Sequence, residues 1–144
     1  MDKNRIIARF MGFKSSPFEN EGGKGFDVKL NGIPKDNCNG SYSVACYGDL
    51  ESNIEQILGQ ELKYHKCWNW LMPVVDKIES TFQIGTGNLC KVYISSNNEP
   101  KDPFFYCNIY GSEDNQFNGE SKNKKIDSVY DAVVDFINWY DKYK

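Results

Sequence analysis

The stretch that decides the fold is Tyr64-His65-Lys66-Cys67-Trp68-Asn69-Trp70-Leu71-Met72-Pro73-Val74-Val75-Asp76-Lys77-Ile78-Glu79, which holds the only histidine and two of the three tryptophans. Its apolar residues recur at the spacing of one helix face, which predicts a buried helix that begins near Lys66. Pro73 predicts a kink or a later start of this helix. The residues of the predicted face are Trp68, Leu71, Met72, Val75 and Ile78.

The two tryptophans of this helix are expected to have different environments. Trp68 belongs to the apolar face and should lie in the core. Trp70 is about 200° away around the helix, so it should pack against a flanking segment or be partly exposed. A partly exposed Trp70 is a candidate anchor for a protein partner, because tryptophan is enriched among residues that dominate binding energy.

The segments on either side predict further helices and strands. Apolar periodicity indicates helices over residues 3–11, ended by Gly12, and over 124–142, with a weaker short helix over 50–62. Alternating residues over 26–30 and 41–47 predict two strands, which we pair as an antiparallel hairpin. Three more strands are predicted at 81–84, 89–95 and 104–110, with a tight turn at 85–88, and the polar stretches 14–25, 31–40 and 111–123 are expected to be loops.

The predicted order of elements is α-ββ-α-βββ-α. Short hairpin connections imply an antiparallel sheet, and the helices must cover it. We therefore expect an α+β fold with one antiparallel sheet of about five strands. Residues 1–144 contain no linker or internal repeat that would indicate a second domain, so a single domain is expected.

Composition and charge limit the classes of protein and the compartments that fit this chain. The net charge is −3, and the basic residues are 15 lysines and only 2 arginines, so strong non-specific attraction to nucleic acid is not expected. The chain has an odd number of cysteines, five, with no C-x-x-C pair and no export signal. No apolar run is long enough to cross a bilayer. These features predict a small acidic cytoplasmic protein with reduced cysteines.

The residues that could support catalysis are few. His65 and Cys67 are two positions apart, and such residues point to different faces of a helix, which does not suit a nucleophile and its base. A metal site would need further ligands at suitable spacing, and none is apparent. We therefore expect these two residues to be structural, and we expect no enzymatic activity, cofactor or metal.

Charged residues on and before the last helix are candidate partner-binding residues. Asp127, Asp131 and Asp135 repeat every four residues, which is either a solvated face or a negative stripe that meets a basic partner. Lys122, Lys124 and Lys125 lie at the positive end of the helix dipole, where they are disfavoured unless they contact an acidic group. The simpler interpretation of these lysines is an exposed loop.

Three tyrosines in the predicted strands permit two interpretations. Tyr93, Tyr106 and Tyr110 could form an aromatic sheet face on which single-stranded RNA stacks. The RNP sequence patterns of such RNA-binding sheets are absent. We therefore expect these tyrosines to pack beneath helices.

Core motifs at both ends and in the middle of the chain resemble a known group. The motifs are Ile6-Ile7-Ala8-Arg9-Phe10-Met11-Gly12, Tyr64-His65 with Trp68–Glu79, and residues 126–140. They resemble small proteins of phages and mobile elements that are similar to the phage α-β-α sandwich group. The loops at 14–25, 31–40 and 111–123 and the segment 48–62 lie outside this resemblance, which transfers no catalytic residue.

The resemblance implies a phage or mobile-element protein in the cytoplasm of a bacterial host. In that setting small acidic non-enzymes often inhibit host defence by binding, and anti-CRISPR proteins, including those directed at RNA-targeting effectors, are the example. The first hypothesis is therefore a host defence inhibitor that binds a host or defence-system protein, including a ribonucleoprotein effector. The alternative is a nucleic-acid or small-ligand binding module of a phage.

Overall fold

The computed structural model describes residues 3–12, 14–20, 23–29, 41–45, 62–97 and 99–143. The chain forms two compact units, Met1–Lys63 and Tyr64–Lys144. The expectation that residues 1–144 form a single domain remains a prediction. Within the ranges given, no helix is both long and apolar enough to cross a membrane.

The described part of the first unit contains one helix followed by a three-stranded antiparallel sheet. Helix α1 spans Lys3–Phe10, and strands β1, β2 and β3 span Lys14–Asn20, Gly23–Lys29 and Ser41–Ala45. The strands lie in the order β1-β2-β3. The predicted hairpin is confirmed, since Phe26 pairs with Val44 in an antiparallel register. The predicted loop at 14–25 is wrong, because most of it forms β1 and the start of β2. The loop predicted at 31–40 and residues 50–61 of the helix predicted over 50–62 lie outside the described ranges.

The second unit has a helix, three strands and a second helix. Helix α2 spans Trp68–Glu79, strands β4, β5 and β6 span Lys91–Ser96, Phe105–Tyr110 and Gln116–Ser121, and helix α3 spans Lys125–Tyr143. The strands form an antiparallel sheet in the order β4-β5-β6. The predicted loop at 111–123 is wrong over β6. The predicted strand at 81–84 is also wrong, because only isolated bridges occur there.

The predicted sheet of about five strands is contradicted, although the α+β class is confirmed. The described strands form two separate sheets of three, and the order of the described elements is α-βββ-α-βββ-α. The prediction failed because β1 and β6 have few apolar residues and no clear alternation. Their pairing partners, rather than their own hydrophobic pattern, hold them in extended conformation.

The buried face of α2 differs from the predicted face by a rotation. Leu71, Val75 and Ile78 are buried as predicted, but Trp68 and Met72 are each 37% exposed. The expectation of a buried Trp68 is therefore wrong. Trp70 is only 1% exposed, so of its two predicted alternatives partial exposure is wrong, and its ring packs against Tyr64, which precedes α2. The residues buried on α2 are Trp70, Leu71, Val74, Val75 and Ile78, which span an arc of about 140° at 100° per residue.

Helix α3 packs on the second sheet along β5 and β6. The ring of Phe117 in β6 meets Phe136 and Trp139 of α3, with centroids 5.9 and 5.2 Å apart. Cys107 and Ile109 of β5 are fully buried. Helix α2 contacts both α3 and β4, so the two helices form one layer on one face of the sheet.

Candidate binding face of the second sheet

The sheet β4-β5-β6 turns one face to the helices and leaves the other uncovered by α2 and α3. Successive side chains of a strand point to opposite faces. Because Cys107 and Ile109 face the helices, Tyr106, Asn108 and Tyr110 face the other way. The strand register extends this second face to β4 and β6. We call it the open face, and it consists of Lys91, Tyr93, Ser95, Tyr106, Asn108, Tyr110, Gln116, Asn118 and Glu120.

The tyrosines of the open face do not lie beneath α2 or α3, contrary to the expectation from the sequence. Tyr93 is 51% exposed, and Tyr106 and Tyr110 are partly exposed. The rings of Tyr93 and Tyr110 meet edge to face, with centroids 5.7 Å apart. The ring of Tyr106 lies beside that of Phe104, with centroids 6.2 Å apart. The sequence alternation along β5 indicated that Tyr106 and Tyr110 share one face of the strand. It did not show which face of the sheet the helices would cover.

A short arm of residues 81–90 lies beside the sheet. Phe82 and Leu89 form an antiparallel bridge, and both side chains are exposed. The arm turns at Gly85 and Gly87, whose φ values of 87° and 76° favour glycine. The predicted tight turn at 85–88 is therefore confirmed.

The arm is joined to the end of β5 by hydrogen bonds. The Ile84 amide donates to the Gly111 carbonyl at 3.1 Å, and the Gln83 side-chain amide donates to the Tyr110 carbonyl at 3.4 Å. The Thr86 hydroxyl donates to the side-chain oxygen of Gln83 at 2.8 Å. These bonds hold Gln83 as a wall at one end of the open face.

An open concavity of about 480 Å³ lies between the arm and the open face. Its lining combines two aromatic rings, three carboxamides, one ammonium, one carboxylate and one hydroxyl. The lining residues are Gln83, Asn88, Lys91, Tyr93, Asn108, Tyr110, Ser112 and Glu113. Its size falls within the range of small-ligand sites.

The acidic row of α3 lies away from the open face. Asp135 is exposed, and Asp127 and Asp131 are partly exposed. All three lie on α3, which covers the opposite face of the sheet. The structure therefore does not bring this row together with the open-face tyrosines.

The remaining candidates from the sequence lie at the start of α3 and inside α2. Lys122, Lys124 and Lys125 are exposed, and the Ser121 hydroxyl accepts a hydrogen bond from the Lys124 amide at 3.2 Å. Trp70 packs edge to face on Tyr64 with centroids 5.3 Å apart. A partner-binding role for Trp70 stays a prediction, but the buried ring offers almost no surface to a partner.

His65 and Cys67 occupy different environments. His65 is exposed, and its ring lies 6.2 Å from that of Tyr130. Cys67 is half-buried, precedes α2, and accepts the Trp70 and Leu71 amides at its backbone carbonyl. In the part of the chain that the structure describes, no group of three or more His, Cys, Asp or Glu residues is placed to hold a metal ion.

The buried thiols of β4–β6 resist ionisation. Burial raises the pKa of Cys107 from its ordinary value of 9.0 to about 12. Burial also raises the pKa of Cys90, and a backbone hydrogen bond partly offsets this effect. Because the thiolate is the nucleophilic form, burial makes these two thiols poorer nucleophiles near neutral pH.

Comparisons with known proteins give no family for this chain. No family model matches it, and no curated protein matches it. A solved structure that aligns with it is the solution structure of both dsRBDs of DRB4 along with their linker, at 14% sequence identity over 98% of each chain. The TM-score of that alignment is 0.32, which is too low to bear on function.

Proposed function

We propose that this chain is a non-enzymatic protein-binding module that inhibits a host defence system in the cytoplasm of a phage-infected bacterium. Its partner in this proposal is a protein effector of anti-CRISPR type, including an RNA-targeting ribonucleoprotein. The resemblance of its core motifs to phage proteins supports the setting. The observation that supports binding is the open face, where three tyrosines lie among side chains that are mostly neutral and polar.

The chemistry of the open face favours a protein over a nucleic acid as partner. Tyrosine is enriched at protein interfaces, where it provides a large rigid contact at a small cost in conformational entropy. Asparagine, glutamine and serine supply adaptable hydrogen bonds around it. Lys91 and Glu120 balance each other in charge, whereas a nucleic-acid backbone attracts a basic surface.

The experiment that tests this proposal compares two tyrosine variants in a binding and inhibition assay. A double variant, Tyr93→Ser with Tyr106→Ser, removes two rings from the open face. The matched control is Tyr143→Ser, since Tyr143 is 56% exposed and lies at the end of α3. Each purified protein is tested against a panel of CRISPR effector complexes, for binding by interferometry and for inhibition of target cleavage.

The expected result is that the unmodified chain and the Tyr143→Ser control bind and inhibit one effector, and that the double variant does neither. Loss of interface aromatics of this kind typically weakens binding by about 2 kcal/mol or more, roughly thirtyfold. Equal binding by the double variant would exclude the open face. Absence of binding to every effector would exclude the anti-CRISPR role. Binding to free RNA that weakens steeply with salt would favour the alternative of a nucleic-acid module.

A further inference from the structure

The concavity beside the open face contains several polar groups that are not used within the protein. Across the described ranges, no hydrogen bond or ion pair within the chain involves the side chains of Asn88, Lys91, Asn108 or Glu113. Gln83 differs, because its amide is bonded on both sides and forms the wall. Two carboxamides, an ammonium and a carboxylate therefore line one space with their hydrogen-bonding capacity available to a ligand.

The aromatic part of the lining suits a flat ring. Tyr93 and Tyr110 stand edge to face, and Tyr93 is half-exposed. A planar heterocycle can stack on an exposed tyrosine ring whatever its identity, because every base has a π-face. Carboxamides beside such a ring provide paired donors and acceptors, and this is how asparagine and glutamine recognise the edges of bases.

The charged part of the lining suits one phosphate and a sugar. Lys91 is the single cationic side chain among the lining residues, and a lysine ammonium binds phosphate as a point charge. The Glu113 carboxylate is an acceptor for sugar hydroxyl groups, the role that an acidic residue plays in dinucleotide-binding folds. With a single cation, the concavity does not provide the row of positive charges that a polynucleotide backbone requires.

We propose that this concavity is a binding site for a nucleoside monophosphate. The base stacks on Tyr93, the side chains of Asn88 and Asn108 contact its edge, and Lys91 binds the phosphate. This site shares Lys91, Tyr93, Asn108 and Tyr110 with the open face, so a nucleotide and a protein partner would compete for these residues, but the inference does not depend on the protein-binding role. Its volume of about 480 Å³ accommodates a ligand of this size.

The test is calorimetric titration of the intact chain with AMP, GMP, CMP and UMP, with the matching nucleosides and with inorganic phosphate. At least one monophosphate should bind more tightly than its nucleoside and than phosphate alone. The NMR signals of the side-chain amides of Asn88 and Asn108 should shift on addition of that nucleotide and remain unshifted with phosphate.

Two variants and one matched control locate the site. Lys91→Met should weaken binding of the monophosphate about tenfold and leave the nucleoside affinity unchanged. Tyr93→Ser should weaken binding of both by about tenfold or more. Lys101→Met, at an exposed lysine between β4 and β5 that does not line the concavity, should change neither. Lys91 and Tyr93 are both exposed, so their variants should keep the circular dichroism spectrum of the unmodified chain.

Three results would overturn the proposal. The first is that no monophosphate binds at millimolar concentration. The second is that Lys101→Met weakens binding as much as Lys91→Met does, which would place the phosphate outside the concavity. The third is that a partner peptide, but no nucleotide, shifts the amide signals of Asn88 and Asn108, which would make the concavity part of a protein interface.

Discussion

Gly119 in β6 lies so close to the backbone carbonyl of Ser128 in α3 that a methyl group on Gly119 would overlap that oxygen. Gly119 also pairs across the sheet with the buried Cys107. The backbone of α3 therefore rests directly on the sheet at this position. The glycine is required by this close approach, because any side chain would push helix and sheet apart.

Replacement of Gly119 by alanine should destabilise the second unit. The added methyl group must displace the backbone of α3, and overpacking of this kind costs about 1–3 kcal/mol or more. Urea unfolding followed by circular dichroism measures the change. The control is Asn118→Ala, on the neighbouring exposed position, which should stay within about 0.5 kcal/mol of the unmodified chain. Similar losses in the two variants would contradict the close contact.

The two tryptophans of α2 should differ strongly in their contribution to stability. Trp70→Ala removes a fully buried ring that packs on Tyr64, which should cost about 3–5 kcal/mol. Trp68→Ala removes a ring that is already 37% exposed, so its cost should be clearly smaller. Unfolding free energies of both variants in the same buffer provide the comparison. A larger loss for Trp68→Ala would restore the face that the sequence predicted.

The reversal of the two tryptophans shows the limit of periodicity in a sequence. Leu71, Val75 and Ile78 belong to both possible faces of α2, and these were predicted correctly. Trp68 and Trp70 lie on either flank of that shared strip, and local spacing does not distinguish them. The choice depends on contacts from other elements, such as the ring of Tyr64 against Trp70.

The strands that the sequence missed are stabilised by pairing rather than by their own pattern. In β6 the only apolar side chain is Phe117. The strand is held in place by hydrogen bonds to β5 and by packing against α3. Strand β1 contains Pro17, and β1 lies at the edge of the described sheet, where proline is tolerated. By contrast, α3 was predicted well because its apolar spacing continues over its 19 residues.

The candidate binding face was only half predictable. The sequence identified Tyr93, Tyr106 and Tyr110 as a possible aromatic face, because they fall at alternate positions of strands. It gave no way to know that both helices of the unit would cover the other face. The arm residues Gln83 and Asn88 carried no recognisable motif, so the concavity followed only from the fold.

Stability should fall in alkaline solution through the buried thiol of Cys107. Below pH 9 the Cys107 thiol is protonated in both the folded and the unfolded state, so its contribution to the free energy of unfolding is fully present. Between the ordinary pKa of 9.0 and the folded pKa of about 12, the unfolded thiol loses its proton and the folded thiol keeps it. Unfolding is then favoured as pH rises, by up to about 1.4 kcal/mol per pH unit for one thiol.

The measurement is the unfolding free energy of the unmodified chain and of Cys107→Ala between pH 8 and 10.5. The variant should be less stable at pH 8, because it leaves a cavity. Its stability should nevertheless fall less steeply with pH. Parallel pH dependences for the two proteins would show that Cys107 ionises in the folded state as readily as in the unfolded chain.

Neutralisation of the acidic row of α3 should slow association with a basic partner. The variant carries Asp127→Asn, Asp131→Asn and Asp135→Asn together. If the row meets a positive surface of the proposed effector, the association rate constant should fall by severalfold at low salt and much less at high salt. Stopped-flow binding at two ionic strengths measures this change. An unchanged rate constant at both would identify the row as a solvated helix face.

The order of the strands has a consequence for how the second unit folds during synthesis. Because β4, β5 and β6 lie side by side in the order in which they occur in the chain, each strand can pair with the one just before it. Such short-range pairing keeps contact order low and favours rapid folding. Helix α3 follows all three strands, so a chain growing on the ribosome completes this sheet while Cys107 and Ile109 still face water. Until α3 has emerged, that uncovered face is the surface by which the nascent chain is open to aggregation or to capture by a chaperone.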